Sequence, residues 1–250
     1  MTEARSLAEE VGFDLPASYN AARLLWDNLP RRADAPAILH DQGTVTYAAL
    51  AEEAARIGNC LLRHCAPGDR VLLFMDDTPS YPATVMGAMR AGLVPVLINT
   101  LSPADLLDFY LTDSSAKVAV ASETYRSLFA AVTIPVLFAA DRPWAPASAS
   151  LPEHETRRTD MAFWMYSSGS TGRPKGVVHK HEDMAYTAHT YAKSVLKIAP
   201  DDICFSIPKI FFAYGFGNAI TFPMSVGAAT VLLSERPTPE RVFSQIETHR

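Results

Sequence analysis

Cysteine is scarce: Cys60, Cys65 and Cys204 are the only three in 250 residues. They form no CxxC pair and leave one over under any pairing, which excludes a disulfide framework and fits free thiols in a reducing cytoplasm. Excess positive charge is also lacking. With 22 Lys and Arg against 27 Asp and Glu, the net charge is −5, so there is no footprint for nucleic acid or for an acidic membrane surface. No apolar run matches a membrane span: the most apolar stretch, Tyr81 to Ile98, contains Pro82, Arg90 and Pro95. The first ten residues are acidic and have no apolar centre, unlike a signal peptide. These absences together predict a cytoplasmic protein. One further absence is local. From Ile203 through Leu233 there is not one Asp or Glu.

Hydrophobic residues make up 48% of the chain, enough for one large domain or two small subdomains, with 18 Pro and 12 Gly dispersed between apolar segments. Strand-like runs at Val71–Phe74, Val94–Ile98, Val118–Ala121 and Pro135–Phe138 alternate with helical patterns. Thr46 reads as the N-cap of a helix running towards Cys65 and broken at Pro67-Gly68-Asp69; a second helix near Tyr81–Ala91 ends at Gly92. Ser102-Pro103 offers a cap and first-turn proline for another helix, and one more is expected between Ala121 and Pro135. Residues 141–160, rich in Pro, Ala, Ser and charge, read as a subdomain boundary or exposed linker. Beyond it the alternation resumes: Ala162–Tyr166, Val177–His179, a helix near Glu182–Val195, Ile203–Ser206, Thr230–Leu233, and a last helix capped by Thr238 with Pro239 in its first turn. Strands apolar on both faces and joined by helices predict an α/β fold, with mostly parallel sheets flanked by helices. The expected division is 1–150 and 151–250, and the end at Arg250 reads as a cut.

The most informative segment is Tyr166-Ser-Ser-Gly-Ser-Thr-Gly-Arg-Pro-Lys-Gly176, between two apolar strands. Its glycines let the backbone approach an anion, its hydroxyls donate hydrogen bonds, and successive N–H groups can form an anion nest. Ser167, Ser168, Gly169, Ser170, Thr171 and Gly172 are therefore candidate phosphate ligands, and Lys175 is a candidate point charge that stabilises phosphate during reaction. A Walker loop starting at Gly169 fails at Pro174 and Gly176, and a dinucleotide fingerprint starting at Gly215 fails at Ile220.

This segment resembles the signature loop of the adenylate-forming superfamily: acyl- and aryl-CoA ligases, peptide-synthetase adenylation domains and luciferases. Thr46-Tyr47-Ala-Ala-Leu50 and Met89-Arg-Ala-Gly-Leu-Val-Pro-Val96 resemble two further segments of that family, in the expected order. The resemblance implies the amino-terminal subdomains of the adenylate-forming fold, with the small carboxy-terminal domain absent. It implies ATP, Mg²⁺ and coenzyme A as cofactor and cosubstrates. The loop grips the β- and γ-phosphates while a carboxylate attacks the α-phosphorus. Later family segments for Mg²⁺, ribose and the assisting lysine do not occur in these residues. Assembly as a homodimer, or with a missing carboxy-terminal half, is compatible with this.

The substrate class is read from Lys209–Gly217. An amino-acid adenylating site needs a carboxylate near this point for the substrate ammonium, because burying that charge unpaired is costly. An acid-free stretch with five aromatics between Phe211 and Phe222 suits a flat apolar acid instead. Phe211-Phe-Ala-Tyr-Gly215 is similar to benzoate–CoA ligases and their hydroxybenzoate relatives. That resemblance implies that Ala213 and Tyr214, with Gly215, line an aromatic-acid pocket, while Phe211, Phe216 and Phe222 are assigned to the core. A fatty-acyl or amino-acid adenylating enzyme is the alternative within the superfamily. An inactive ATP- and acid-binding fragment is the alternative outside it. His179, His181 and His189 lack zinc-like spacing, so no metal site is expected. Asp76-Asp77 reads as a strand-end turn.

Overall fold

The computed structural model describes residues 13–167 and 173–249. In chain order the strands are β1 (Pro36–His40), β2 (Gly43–Thr46), β3 (Arg70–Phe74), β4 (Val94–Leu97) and β5 (Val118–Ala121). They continue with β6 (Val136–Phe138), β7 (Met161–Ser167), β8 (Lys175–Lys180), β9 (Ile203–Phe205) and β10 (Ala229–Val231). They form two sheets, ordered β2-β1-β10-β9 and β6-β5-β3-β4-β7-β8. Pairing is parallel except in the hairpins β1–β2 and β7–β8. β4 and β5 are buried along their whole length, which is why their sequences are continuous apolar runs. Strands from both sides of residue 150 enter both sheets.

The α-helices are α1 (Arg23–Trp26), α2 (Leu29–Arg32), α3 (Tyr47–Leu61), α4 (Ser80–Arg90), α5 (Leu107–Ser114), α6 (His181–Thr187), α7 (Ala213–Phe216), α8 (Phe222–Met224) and α9 (Pro239–His249). Thr46 caps α3 as expected, its hydroxyl oxygen accepting the Ala49 N–H at 3.2 Å. Thr238 does the same for α9, accepting the Arg241 N–H at 3.3 Å. α3 and α4 cross at very close range: a Cβ on Gly87 would lie 2.1 Å from the Ala54 carbonyl oxygen, so only glycine allows this contact. This contact lies in the larger core cluster, which also holds Leu50, Ile57, Val71 and Met86.

Several expectations are corrected. Ser102 is not a helix cap; its hydroxyl shares a hydrogen bond with the Tyr110 hydroxyl at 3.0 Å, and a 3₁₀ turn, Ala104–Leu106, leads into α5. The connection between β5 and β6 is a 3₁₀ helix, Glu123–Phe129, whose Tyr125 and Phe129 rings pack edge-on to Phe74 at 4.8 and 5.8 Å. The helix after β8 turns π-helical over Ala188–Leu196, where the Ser194 hydroxyl donates to the carbonyl five residues back, at His189, across 2.8 Å. β8 ends at Lys180, so His179 stands on the strand while His181 opens α6.

The stretch 141–160 is no free linker. It is a strap against α3: Trp144 is fully buried and donates its indole N–H to Glu53 at 2.7 Å, and Asn59 donates to the Ser148 and Ser150 carbonyls at 2.9 Å. Arg56 donates to the Ala145 carbonyl at 3.1 Å. Glu53, Arg56 and Asn59 recur every three residues, so one face of the helix holds the strap.

Candidate functional site

The β7–β8 hairpin brings the two halves of the site together. Its register pairs Phe163 with His179, Met165 with Val177 and Ser167 with Lys175, and alternation puts all six on one face. The other face is anchored below. The Tyr166 hydroxyl donates to Asp113 at 2.6 Å, its ring stands edge-on to Tyr110 at 4.7 Å, and burial together with Asp113 keeps this phenol protonated far above its ordinary range.

Ser167 and Lys175 are exposed at the two rims of the candidate phosphate loop. Ser168, Gly169, Ser170, Thr171 and Gly172 lie outside the described residues. Lys175 forms no ion pair with any described residue, so its charge is not committed to structure there.

Further in on the same face, a cavity of about 130 Å³ opens between the hairpin, α6 and the helical run that begins at Ala213. Phe163 and Met165 form its strand wall, Met184 and Thr187 come from α6, and Ala213, Phe216, Thr221 and Phe222 close it. Phe163 is sandwiched, stacked on His179 at 4.6 Å and on Phe216 at 4.5 Å. An apolar cavity of ~150 Å³ is large enough to hold benzene, so this one is ring-sized. Larger depressions among the described residues, about 370, 690 and 300 Å³, carry Asp201 and Asp202, or Glu53, Asp76 and Glu123 with Arg142, or Asp27 with Lys193 on their walls. None of these adjoins the rim of the candidate phosphate loop through the β7–β8 face, as the 130 Å³ cavity does through Phe163 and Met165.

The residues expected around this pocket take different places. Ala213 is on the cavity wall. Tyr214 is 64% exposed and is not among the lining residues. Gly215 is buried beneath the chain instead: a Cβ there would lie 2.0 Å from the Lys209 carbonyl oxygen. Phe216 and Phe222, assigned to the core from sequence, are both buried and cavity-lining, since a pocket wall can also be core.

Three polar groups escaped the sequence reading. Asp183, on α6, lines the cavity; its carboxylate accepts the Lys180 N–H at 3.0 Å and lies 3.4 Å from His179 Nδ1. Burial raises its pKa, but the His179 and Lys180 hydrogen bonds outweigh that and hold it below the ordinary carboxylate range. Asp77 is no exposed turn residue: it is buried, both carboxylate oxygens accept the Ile210 N–H at 3.3 Å, and burial pushes its pKa up to about 7 against the opposing pull of Lys209 and that N–H. Burial likewise lowers the Lys209 ammonium below its ordinary range, with Asp77 opposing. No periodicity marks a single acid after an apolar strand as buried, so Asp77 carried no sequence signal.

His181 is buried, its Nδ1 accepts the Ala21 N–H at 3.0 Å, and burial lowers its pKa to about 4. Among the described residues, no three His, Cys, Asp or Glu side chains gather as a metal site, and no helix is long and apolar enough to cross a membrane.

Comparison with known proteins places this geometry. The family model described as "AMP-binding enzyme" matches residues 25–250. The chain is 41% identical to the benzoate–CoA ligase of Thauera aromatica, over 94% of this chain and 48% of that protein. It is 37% identical to the 4-hydroxybenzoate–CoA/benzoate–CoA ligase of Rhodopseudomonas palustris, over 86% of this chain and 42% of that one. A benzoate CoA ligase structure from Burkholderia xenovorans LB400 superposes with a TM-score of 0.87 at 36% identity, covering 93% of this chain and 49% of that chain. The anthranilate CoA ligase AuaEII, solved with anthranoyl-AMP, gives a TM-score of 0.90 at 29% identity, covering 94% and 49%. The chain thus spans about half the length of the relatives it matches. With a family match that runs through both sheets, the β7–β8 hairpin and the cavity, the protein belongs to the AMP-binding enzymes.

Proposed function

We propose that this chain supplies the phosphate loop and acid pocket of an enzyme that activates a benzoate-like aromatic acid with ATP and passes the acyl group to coenzyme A. One observation carries the reading: cavity wall and loop rim are on the same hairpin face, Met165 and Ser167 two residues apart. At ~3.3 Å rise per strand residue that separation is ~7 Å. A ring seated against Phe163 and Met165 can therefore direct its carboxylate towards phosphates held at the loop. The high identity to benzoate and hydroxybenzoate ligases supports the same substrate class.

In this reading a carboxylate oxygen attacks the α-phosphorus, the bond to the bridging oxygen breaks, and pyrophosphate leaves with both bonding electrons. The backbone N–H groups and hydroxyls of Ser167, Ser168, Gly169, Ser170, Thr171 and Gly172 hold the β- and γ-phosphates. Lys175 balances charge that develops on the leaving group. Ala213 is the wall residue beside the ring, Tyr214 stands at the exposed rim, and Gly215 seats the helix. Mg²⁺ would add charge neutralisation at the phosphates; the described residues offer no ligand cluster for it, so no step is assigned through it. Adenine, ribose and coenzyme A contacts are assigned to no residue here. Acyl transfer would then form the thioester and release AMP.

A second reading has one observation in its favour. Asp183 places a carboxylate on the cavity wall, where it could pair an amino group on the substrate. Against it, one oxygen already accepts the Lys180 N–H and faces His179. Acid-dependent ATP–pyrophosphate exchange by an intact enzyme carrying this region separates the two. Benzoates should drive exchange; exchange with α-amino acids or long-chain fatty acids and none with benzoates would sink the proposal.

A further inference from the structure

We propose that Lys209 and Ile210 form a two-armed clamp that ties the ends of β3 and β10 together, making Asp77 and Lys209 positioning residues for the aromatic acid. This rests on the reading of the Ala213–Phe222 cavity as the acid pocket.

One arm is the Ile210 N–H, donated to the Asp77 carboxylate at 3.3 Å, three residues beyond the end of β3 in the six-stranded sheet. The other is the Lys209 ammonium, which donates to the carbonyls of Leu233, Ser234 (3.2 Å) and Glu235 (2.7 Å), just beyond β10 in the four-stranded sheet. Three N–H bonds meet three carbonyl oxygens, so the donor capacity of the ammonium is used up in holding this position. A single dipeptide thereby bridges both sheets.

The pocket helix rests directly on that dipeptide. The Lys209 carbonyl oxygen accepts the Phe212 N–H at 3.0 Å and lies where a Cβ on residue 215 would have to be. Phe216 then donates its N–H to the Phe212 carbonyl at 2.8 Å, starting the run that carries the cavity residues Phe216, Thr221 and Phe222. A buried carboxylate and a half-buried ammonium are poor sources of stability compared with a well-packed apolar pair. What they add is direction, because each fixes one end of the dipeptide at a set distance from its own sheet. Displacing Lys209 moves the floor on which Gly215 sits, and with it the wall facing Phe163.

The test uses the 250-residue chain, with benzoate as the probe, and three variants. Lys209→Met keeps the apolar stem and removes the donors, Lys209→Arg restores a cation, and Asp77→Asn keeps an acceptor for Ile210 but removes the charge. Benzoate affinity, melting temperature and amide hydrogen exchange of residues 210–217 are read on each. Lys209→Met should weaken benzoate binding roughly tenfold, the scale of one lost charge-assisted hydrogen bond. Exchange should quicken at 210–217 with the melting transition in place, Lys209→Arg should recover most of the affinity, and Asp77→Asn should fall between. Parental affinity in Lys209→Met overturns the clamp, and so does a loss that Lys209→Arg leaves unrepaired. If the parent chain itself binds no benzoate, the acid-pocket reading fails, and exchange alone decides the clamp: faster exchange confined to 210–217 supports it, unchanged exchange overturns it.

Discussion

Gly215→Ala tests the seating of the pocket helix with the smallest available change. The added methyl would lie 2.0 Å from the Lys209 carbonyl oxygen and 2.5 Å from the Pro208 carbonyl oxygen. Both are backbone atoms, and neither can rotate aside as a flexible side-chain end would. Relief requires the helix to lift or the Lys209–Ile210 segment to shift against its hydrogen bonds. Overpacking of this kind costs ~1–3 kcal/mol. For a chain of this size, each kcal/mol moves the melting temperature by ~2–4 °C, so the expected drop is about 2–12 °C. Scanning calorimetry on the parent and variant chains measures it. Tyr214→Ala, one residue away and largely exposed, is the control and should change stability by no more than ~0.5 kcal/mol. If Gly215→Ala melts with the parent, the helix is not seated on the Lys209 carbonyl, and the packing described for this segment is wrong.

Other outcomes follow from the same geometry. Lys175→Ala, at an exposed site with no described ion-pair partner, should leave melting unchanged yet lower ATP-dependent turnover of an intact enzyme by ~10- to 1,000-fold; steady-state kinetics checks this. Ala213→Leu puts bulk into a cavity of about 130 Å³ and should weaken benzoate binding by ~10- to 200-fold, the scale set by a single misfit methylene, as calorimetric titration would show. Two buried groups should bend the pH–stability curve in opposite senses. His181, lowered to about 4, stabilises the fold above its unfolded value of 6.5, and that stability is lost as pH falls through this window. Asp77, raised to about 7 from 3.8, stabilises at low pH, and that contribution is lost as pH rises towards 7. Relative to the parent, denaturant melts of Asp77→Asn should therefore gain stability with rising pH between those values, and His181→Gln should lose it, each at up to ~1.4 kcal/mol per pH unit.

The parts of this structure that repeat were legible in the sequence, and the parts that depend on distant partners were not. β4 and β5 announce themselves because burial on both faces needs an unbroken apolar run. The caps at Thr46 and Thr238 were visible because the cap hydrogen bond is local, spanning three residues. The strap at 141–160 gave no such signal because its partners, among them Glu53 for the Trp144 indole and Asn59 for the Ser148 and Ser150 carbonyls, lie on α3 some ninety positions earlier. The acid-free segment around Ala213 gives no sign of a carboxylate at the cavity, because the fold brings Asp183 there from α6. Phe216 and Phe222 are buried, as their assignment to the core requires, and also line the cavity, a double placement that apolar patterning does not distinguish. Asp77 and Lys209 lie far apart in sequence, and only the juxtaposition of the two sheets gives them a common task.

A benzoate ring in the β7–α7 cavity is tested most directly by methyl-labelled methionine NMR with ATP and Mg²⁺ present. Met165 and Met184 line the cavity, Met161 is exposed on the same strand as Met165, and Met86 is buried in α4. Titrated benzoate should shift the Met165 and Met184 methyls by its ring current, leave Met86 and Met161 in place, and lose this effect in Ala213→Leu. Saturating benzoate that moves neither cavity methyl, while an α-amino acid or a long-chain acid moves both, would contradict the assignment.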